Sequence, residues 1–290
     1  MRLEIVKVKL APTLQFLCQL LCGLSVNPFF RLFNQGNNVA LQDPAVRAAL
    51  SLAVDRNDLV NNAIGGNGKP DYGPIPPDAV YSAPLFTTTS QDAASETLDT
   101  AGWKLGPQGI RIKTTKNSST TLALTLTVPN IDFLVETAER LQSDWQKIGV
   151  QTSIATSSPD TIGGDVVTNR SYEALLFGNV LGPSSDLYSF WDSSERFSPG
   201  LNLAIYSNTN VDSLIAATRA TTNDASRTQM FAKIQNDIAN DDPAVFLYST
   251  NDLYVATKNV QGISTDTLSD PSDRFREVPD WYLETARVLK

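Results

Sequence analysis

Residues 121–154 read TLALTLTVPNIDFLVETAERLQSDWQKIGVQTSI, and the fold class follows from how their apolar positions recur. Over Thr121 to Val128, Leu122, Leu124, Leu126 and Val128 alternate with small polar partners, the period-two pattern of a half-buried strand. Pro129, which cannot donate to a strand ladder, ends it. From about Ile131 to Lys147 the period changes, and Leu134, Ala138, Leu141 and Trp145 fall on one helical face. Gly149 closes the helix before Val150, Thr152 and Ile154 alternate once more. Strand, helix and strand in this order form a βαβ-like unit and predict an α/β fold.

The flanking sequence continues the pattern. Asp43-Pro44 is a strong helix start, a capping carboxylate followed by proline at the first helical position, and Val46, Leu50, Ala53 and Val54 give its buried stripe. Asn57 is expected to cap a second short helix, Asp58 to Ile64, stopped by Gly65-Gly66. Pro70, Gly73, Pro74, Pro76 and Pro77 make an extended loop, and Gln91 to Ala101 reads as a helix ended by Gly102 with Trp103 as an apolar anchor. Ser157 to Thr168 is polar and glycine-containing and reads as a surface loop. Tyr172 to Phe177 is a buried strand ending at Gly178, followed by a Pro/Ser/Asp-rich stretch, Pro183 to Pro199. Asp212 to Arg219 and Ala225 to Ile238 read as helices, the second capped by Asp224, and Pro243 to Tyr248 and Leu253 to Val255 as strands. The end from Phe275 to Lys290 carries Trp281 and Tyr282 and is too apolar for a free tail. No internal repeat is present.

Composition removes whole classes of function. The 290 residues contain no histidine, so Ser-His-Asp and Cys-His nucleophilic systems and His-ligated metals are impossible within the chain. A net charge of −8 opposes nucleic-acid binding, which needs a basic face for phosphates. Cys18 and Cys22 lie four residues apart in one apolar stretch and suit neither a structural disulfide framework nor a zinc site. Arg2, Lys7 and Lys9 precede the apolar run Leu10 to Val26, but Glu4, Pro12, Gln15 and Gln19 break the pattern of a signal peptide and no small-residue cleavage site follows. A buried strand or helix edge is the expected reading of this run, which is also too short and too polar for a membrane span of ~20 apolar residues.

Enzymatic options without histidine reduce to paired carboxylates or an oxygen-ligated metal. Asp241-Asp242, and Asp192 with Glu195, are the candidates for a glycosidase-type pair. Both sit in polar stretches where solvated surface charge explains them. Gly65-Gly66-Asn67-Gly68-Lys69 fails the spacing of a phosphate loop, since Ala63 and Pro70 occupy key positions, and reads as a turn. Arg47, Asp55 and Arg56 have a structural reading at helix ends, with Asp55 as the cap of the next turn.

Several spaced segments resemble one family, the family 5 extracellular solute-binding proteins of ATP-binding cassette (ABC) importers, oligopeptide and dipeptide type. They are Phe33-Asn34; Leu41-x-Asp43-x-x-Val46-Arg47-x-Ala49-Leu50-x-x-Ala53-x-Asp55-Arg56; Gly73-Pro74-Ile75-Pro76-Pro77; Ala101-Gly102-Trp103; Ala138-Glu139-x-x-Gln142-x-x-Trp145-x-x-Ile148-Gly149-Val150; Tyr172-Glu173-Ala174; Phe190-Trp191; Asn202-x-x-x-Tyr206; Val211-Asp212-x-Leu214-Ile215; and Asp242-Pro243. The resemblance implies a bilobed periplasmic-binding-protein-like α/β fold of type II. It covers the carboxyl-terminal half: the second lobe plus a return segment, with most of the first lobe missing. The expected division is 1–43 as a remnant of the first lobe and crossover, 44–243 as the second lobe, and 244–290 as the return segment. The implied function is non-enzymatic and cofactor-free: binding an extended peptide or similar polar solute by hinge closure and delivering it to ABC permease subunits, as a periplasmic or extracytoplasmic monomer. The alternatives are a carboxylate-pair hydrolase and a truncated fragment that does not bind.

A cleft for an extended ligand needs aromatic walls, amide partners and few fixed charges. Gly178 to Tyr206 has that character, and Asn179, Asp186, Tyr188, Phe190, Trp191, Asn202 and Tyr206 are the candidate ligand-binding residues. Phe190 and Trp191 could equally be core, and Asn202 a turn cap. Peptide-type members carry a Gly-Trp-x-x-Asp pattern whose acid pairs with the ligand's α-ammonium. Here the stretch is Gly178-Asn179-Val180-Leu181-Gly182, without the Trp or the Asp, so capped peptides, oligosaccharides and other polar solutes stay open as ligands.

Overall fold

The computed structural model describes residues 18–23, 28–85, 88–182, 184–263 and 271–283. Most of the amino-terminal apolar run, Pro183 and the last seven residues lie outside them. In chain order the strands and long helices are β1 (Cys18–Gly23), β2 (Pro28–Phe33), α1 (Pro44–Leu52), β3 (Gly68–Pro70), α2 (Gln91–Thr100), β4 (Lys104–Leu105), β5 (Arg111–Thr114), β6 (Ser119–Thr121), β7 (Ala123–Pro129), α3 (Asp132–Lys147), β8 (Gln151–Ser157), β9 (Ala174–Gly178), α4 (Thr209–Ala220), α5 (Asp224–Asp241), β10 (Ala244–Thr250), β11 (Asp252–Thr257), β12 (Val260–Gln261) and β13 (Tyr282–Leu283).

The expected βαβ unit forms as read. β7 and β8 pair in parallel from Ala123↔Gln151 to Pro129↔Ser157, with α3 between them in sequence. Gly149 has φ 81°, a left-handed conformation that costs glycine little, and a Cβ there would meet Arg111 Cγ at 2.9 Å. The unit belongs to a six-stranded sheet of order β3-β10-β2-β9-β7-β8. β9 runs parallel to β7, whereas β2 is antiparallel to β9 and to β10. The sheet therefore takes in 28–33 and 244–250 together with the βαβ unit. β2 was not legible as a strand because PFFRLF, apolar apart from Arg31, lacks alternation.

Helices cover both faces. Leu124, Leu126, Val128, Leu176 and Val245 meet α1 and α3 through Val46, Leu50, Leu141 and Trp145. On the other face Phe30, Leu32, Leu175 and Phe246 meet Trp191, Val211, Ile215, Phe231, Ile234 and Ile238. Trp145, fully buried, also donates its indole N–H to Leu50 O at 3.0 Å, tying α3 to α1.

Helix starts hold where a side-chain acceptor is present. Asp43 accepts from Ala45 N at 3.0 Å, and its other oxygen accepts from Trp103 Nε1 at 2.9 Å and Lys113 Nζ at 2.8 Å. The next turn, Arg56–Asp58 continuing through Leu59–Ala63, is capped by Asp55 rather than Asn57, since Asp55 Oδ1 accepts from Asp58 N at 3.0 Å. Likewise Asn223, not Asp224, caps α5. The stretch expected as a loop after Ser157 is helical in three short turns, Pro159–Thr161, Ile162–Val166 and Val167–Asn169, because Ser158 caps it and Ile162 finds the second core.

Arg47 and Arg56 act on backbone carbonyls. Arg47 reaches Asp241 O at 2.9 Å, Asp242 O at 3.1 Å and Leu41 O at 3.1 Å. Arg56, 2% exposed, reaches Phe246 O at 2.8 Å and Asp71 O at 3.0 Å. Burial brings its guanidinium down to about 10.

Candidate functional site at the carboxyl edge of the parallel strands

β7, β8 and β9 run parallel, so Pro129, Ser157 and Gly178 end on one edge of the sheet. β2 begins on that edge, with Phe29 opposite Gly178. β10 ends there too, with Ser249 opposite Pro28. Loops leaving the carboxyl ends of parallel strands are where open α/β sheets take their ligands.

The edge has an aromatic floor. Phe29 meets Phe133 edge-on, with centroids 5.5 Å apart, and Tyr248 at 5.5 Å. Tyr248 is anchored from below by a hydroxyl bond to Thr137 Oγ1 at 2.8 Å, and burial pushes its phenol far above the ordinary range. Gly178 has no side chain because a Cβ would meet the Phe29 ring at 2.6 Å.

Directly after Gly178 comes Asn179, 9% exposed. Among the described residues its amide makes no hydrogen bond, and its polar atoms are not closed off from solvent, so the amide is open at this edge. The loop then turns through Ser185, whose hydroxyl bonds Val80 O at 2.6 Å, into the short helix Tyr188–Trp191. Asp186 Oδ1 accepts from Tyr188 N at 3.1 Å, and its Oδ2 lies 3.3 Å from Arg219 Nε. Arg219, in the last turn of α4, lies over the Tyr188 ring at 4.4 Å.

The seven residues picked out in sequence separate into two groups. Asn179, Asp186, Tyr188 and Phe190 lie on the loop and short helix above this edge, with Tyr188 and Phe190 half-buried against the second core. Trp191, Asn202 and Tyr206 point inward. Trp191 is 1% exposed among Phe246, Phe30 and Tyr206, with centroids at 5.7, 6.1 and 6.1 Å. Asn202, fully buried, donates to Asp192 O and Tyr206 O at 2.9 Å each and accepts from Tyr206 N at 3.1 Å. Tyr206 donates its hydroxyl to Asp241 Oδ2 at 2.6 Å, and burial, then Asp241, raises its phenol far above the usual range. These three stiffen the loop from beneath. Sequence reading missed Phe29, Phe133 and Arg219 at the edge, because their neighbours there come from distant parts of the chain.

Of the carboxylates weighed as enzymatic pairs, Asp241 and Asp192, one from each pair, are engaged by internal donors. Asp241 accepts from Tyr206 and from Asn208 Nδ2 at 3.0 Å, and Asp192 Oδ1 caps Ser194 N at 2.9 Å. Glu173 holds Thr125 N at 2.6 Å and Asn38 Nδ2 at 3.2 Å, joining β9 to β7. Among the described residues no group of three or more Cys, Asp or Glu side chains is placed to hold a metal, and no helix is long and apolar enough to cross a membrane.

The fold is an open α/β sheet with helices on both faces and loops gathered at the carboxyl edge of its parallel strands. Residues 23–198 match the sequence profile described as bacterial extracellular solute-binding proteins, family 5, middle, and the chain belongs to that family. It is 31% identical over 225 residues to protein XP55 of Streptomyces lividans, covering 77% of this chain and 40% of that protein. To the oligopeptide-binding protein AppA of Bacillus subtilis it is 26% identical over 253 residues, covering 85% of this chain and 45% of AppA. The chain thus spans less than half the length of these relatives. Among solved structures, AppA from Bacillus subtilis in complex with a nonapeptide superposes with a TM-score of 0.78 at 22% identity, over 92% of this chain and 53% of AppA. NikZ from Campylobacter jejuni in complex with Ni(L-His) gives 0.76 at 22% identity, over 91% of this chain and 53% of NikZ. The shared fold carries ligands as different as a nonapeptide and a metal chelate, so the ligand must be argued from the site.

Proposed function

We propose that this chain supplies one wall of the ligand cleft of an extracytoplasmic solute receptor serving an ABC-type importer, and that its ligand is an extended peptide or similar polar solute. The observation that carries this reading is Asn179, nine-tenths buried at the end of β9 with an amide that no described residue engages, beside an aromatic floor. An extended backbone offers the donors and acceptors such an amide lacks, whatever its side chains.

The strand pair β1/β11 supports the same arrangement. It pairs Gly23 with Asp252, immediately before β2 begins and after β10 ends. Both strands therefore leave the lobe at the edge that carries Asn179. A second lobe joined through this ribbon would face that edge, and hinge closure would bury the ligand between the two walls. Differential affinity for the closed form is then what a permease reads.

The test is an amide NMR titration of the 290-residue chain with uncharged oligopeptides and with oligosaccharides. Binding by one wall is weak, so dissociation constants should be millimolar, with the Asn179 side-chain amide shifted by peptide. Asn179→Ala should abolish the response and leave the unfolding midpoint unchanged, because the amide has no internal partner to lose. Absence of any perturbation at this edge by millimolar ligand overturns the proposal, as does micromolar affinity, which would mean the site is complete without a second wall.

A further inference from the structure

Resting on that reading, we propose that Arg219 reads a carboxylate of the ligand, so that this lobe selects solutes presenting an anionic group rather than a free α-ammonium. Asp186 is the only acid among the candidate ligand-binding residues of this loop. In the fold both of its oxygens are occupied: Oδ1 holds Tyr188 N at 3.1 Å and Oδ2 faces Arg219 Nε at 3.3 Å. An ammonium arriving there would meet a carboxylate whose charge Arg219 already offsets and whose two oxygens each already face a donor.

Arg219 is in the opposite condition. Its side chain is 52% exposed, its Nε faces Asp186 at 3.3 Å, and no described residue engages its terminal nitrogens. Its guanidinium is nevertheless held in place, over the Tyr188 ring at 4.4 Å and edge-on to Asp186. Tyr188 is in turn fixed by a hydroxyl contact to Ser194 at 3.1 Å and by packing on the second core. A planar fork steadied on an aromatic face, with Nε spent and its Nη groups open, is what bidentate carboxylate recognition requires.

Topology sends these donors to the ligand edge. α4 starts near the opposite edge, where its cap Asn208 bonds Asp241 just before β10, and its last turn arrives beside the loop that follows Gly178. Asp186 thereby acts as a positioning residue, aiming the guanidinium through Nε.

The experiment titrates the 290-residue chain, followed by amide NMR, with two peptides of opposite single charge: N-acetyl-trialanine bearing a free carboxylate, and trialanine amide bearing a free ammonium. The acetylated carboxylate should bind roughly tenfold more tightly, the size of one charge-assisted hydrogen bond. Arg219→Gln should erase that preference and Arg219→Lys should restore only part of it, since the charge returns without the fork. Neither change endangers folding, because an exposed ion pair contributes little. A preference for the ammonium peptide, or a carboxylate preference that survives Arg219→Gln, overturns the proposal. Equal binding of both peptides with Asn179 perturbed overturns the role of Arg219 alone, whereas no perturbation by either removes the binding reading beneath it.

Discussion

Replacing Trp191 with Ala separates support from contact at the ligand edge. Trp191 is 1% exposed, and its ring lies 5.7 Å from Phe246, 6.1 Å from Phe30 and 6.1 Å from Tyr206, so its removal opens a cavity between the sheet and the loop above it. Large aromatic truncations of this kind cost about 3–5 kcal/mol, the lost transfer energy plus the cavity the neighbours cannot close. Against a typical total of about 5–15 kcal/mol that is a large fraction of stability. With a denaturant slope of about 2–3 kcal/mol/M, the urea midpoint should fall by roughly 1–2 M. The assay is equilibrium urea unfolding followed by far-ultraviolet circular dichroism, with peptide titration of the variant under folding conditions. A midpoint that hardly moves while the peptide response disappears would refute the reasoning, because the indole would then be facing ligand rather than core.

Two further outcomes follow from buried carboxylates. Burial raises Asp242 to about 6 from an ordinary 3.8, an effect that Arg47 and Arg56 offset only in part. Its folded form favours the proton, so this contribution to stability is complete below about pH 4 and fades as pH rises through 6, a change of about 3 kcal/mol. Asp242→Asn, which keeps a residue tolerant of the left-handed backbone at φ 45°, should raise the urea midpoint at pH 8 and flatten its dependence between pH 4 and 7. An Asp242→Asn midpoint equal to or below that of the parent at pH 8 would contradict this. Asp43 works in the opposite sense: burial would raise its carboxyl, but the bonds from Lys113, Trp103 and Ala45 N together hold it below the usual range. Asp43→Ala should therefore cost roughly 1–2 kcal/mol at neutral pH, the worth of a cap, and the loss should shrink as acid protonates the parent; thermal melts at pH 7 and pH 3 compare the two.

Local rules were legible wherever the interaction partner is close in sequence. The switch from period two to period 3.6 and back across 121–154 identified β7, α3 and β8, and Asp43-Pro44 identified the start of α1. Capping was less secure. Asn57 and Asp55 are both competent caps, and only the backbone path, extended at Asp55 with ψ 90°, selects the latter. The stretch 159–169 was misread because its composition is polar and the few apolar residues that make it helical, such as Ile162, are rewarded only by the distant second core.

The sequence offers the candidate site as a region, and packing divides its residues. Gly178 to Tyr206 stands out in sequence for its aromatics and amides, yet which of them face outward depends on packing against Phe30 and Phe246, forty or more positions away from any of them. Phe29 and Arg219 reach the same edge from β2 and α4, elements with no sequence proximity to β9.

The amino-acid sequence by itself determined the α/β class, the βαβ unit, the absence of histidine chemistry and the family, because each rests on composition, on short-range periodicity or on ordered short motifs. Tertiary structure alone decided that β2 and β10 join the sheet, that Trp191, Asn202 and Tyr206 face inward, and that Asp186 pairs with Arg219 while the Asn179 amide has no partner among the described residues. Those outcomes depend on which distant groups meet, and hydrogen-bond satisfaction and desolvation act only once they have met.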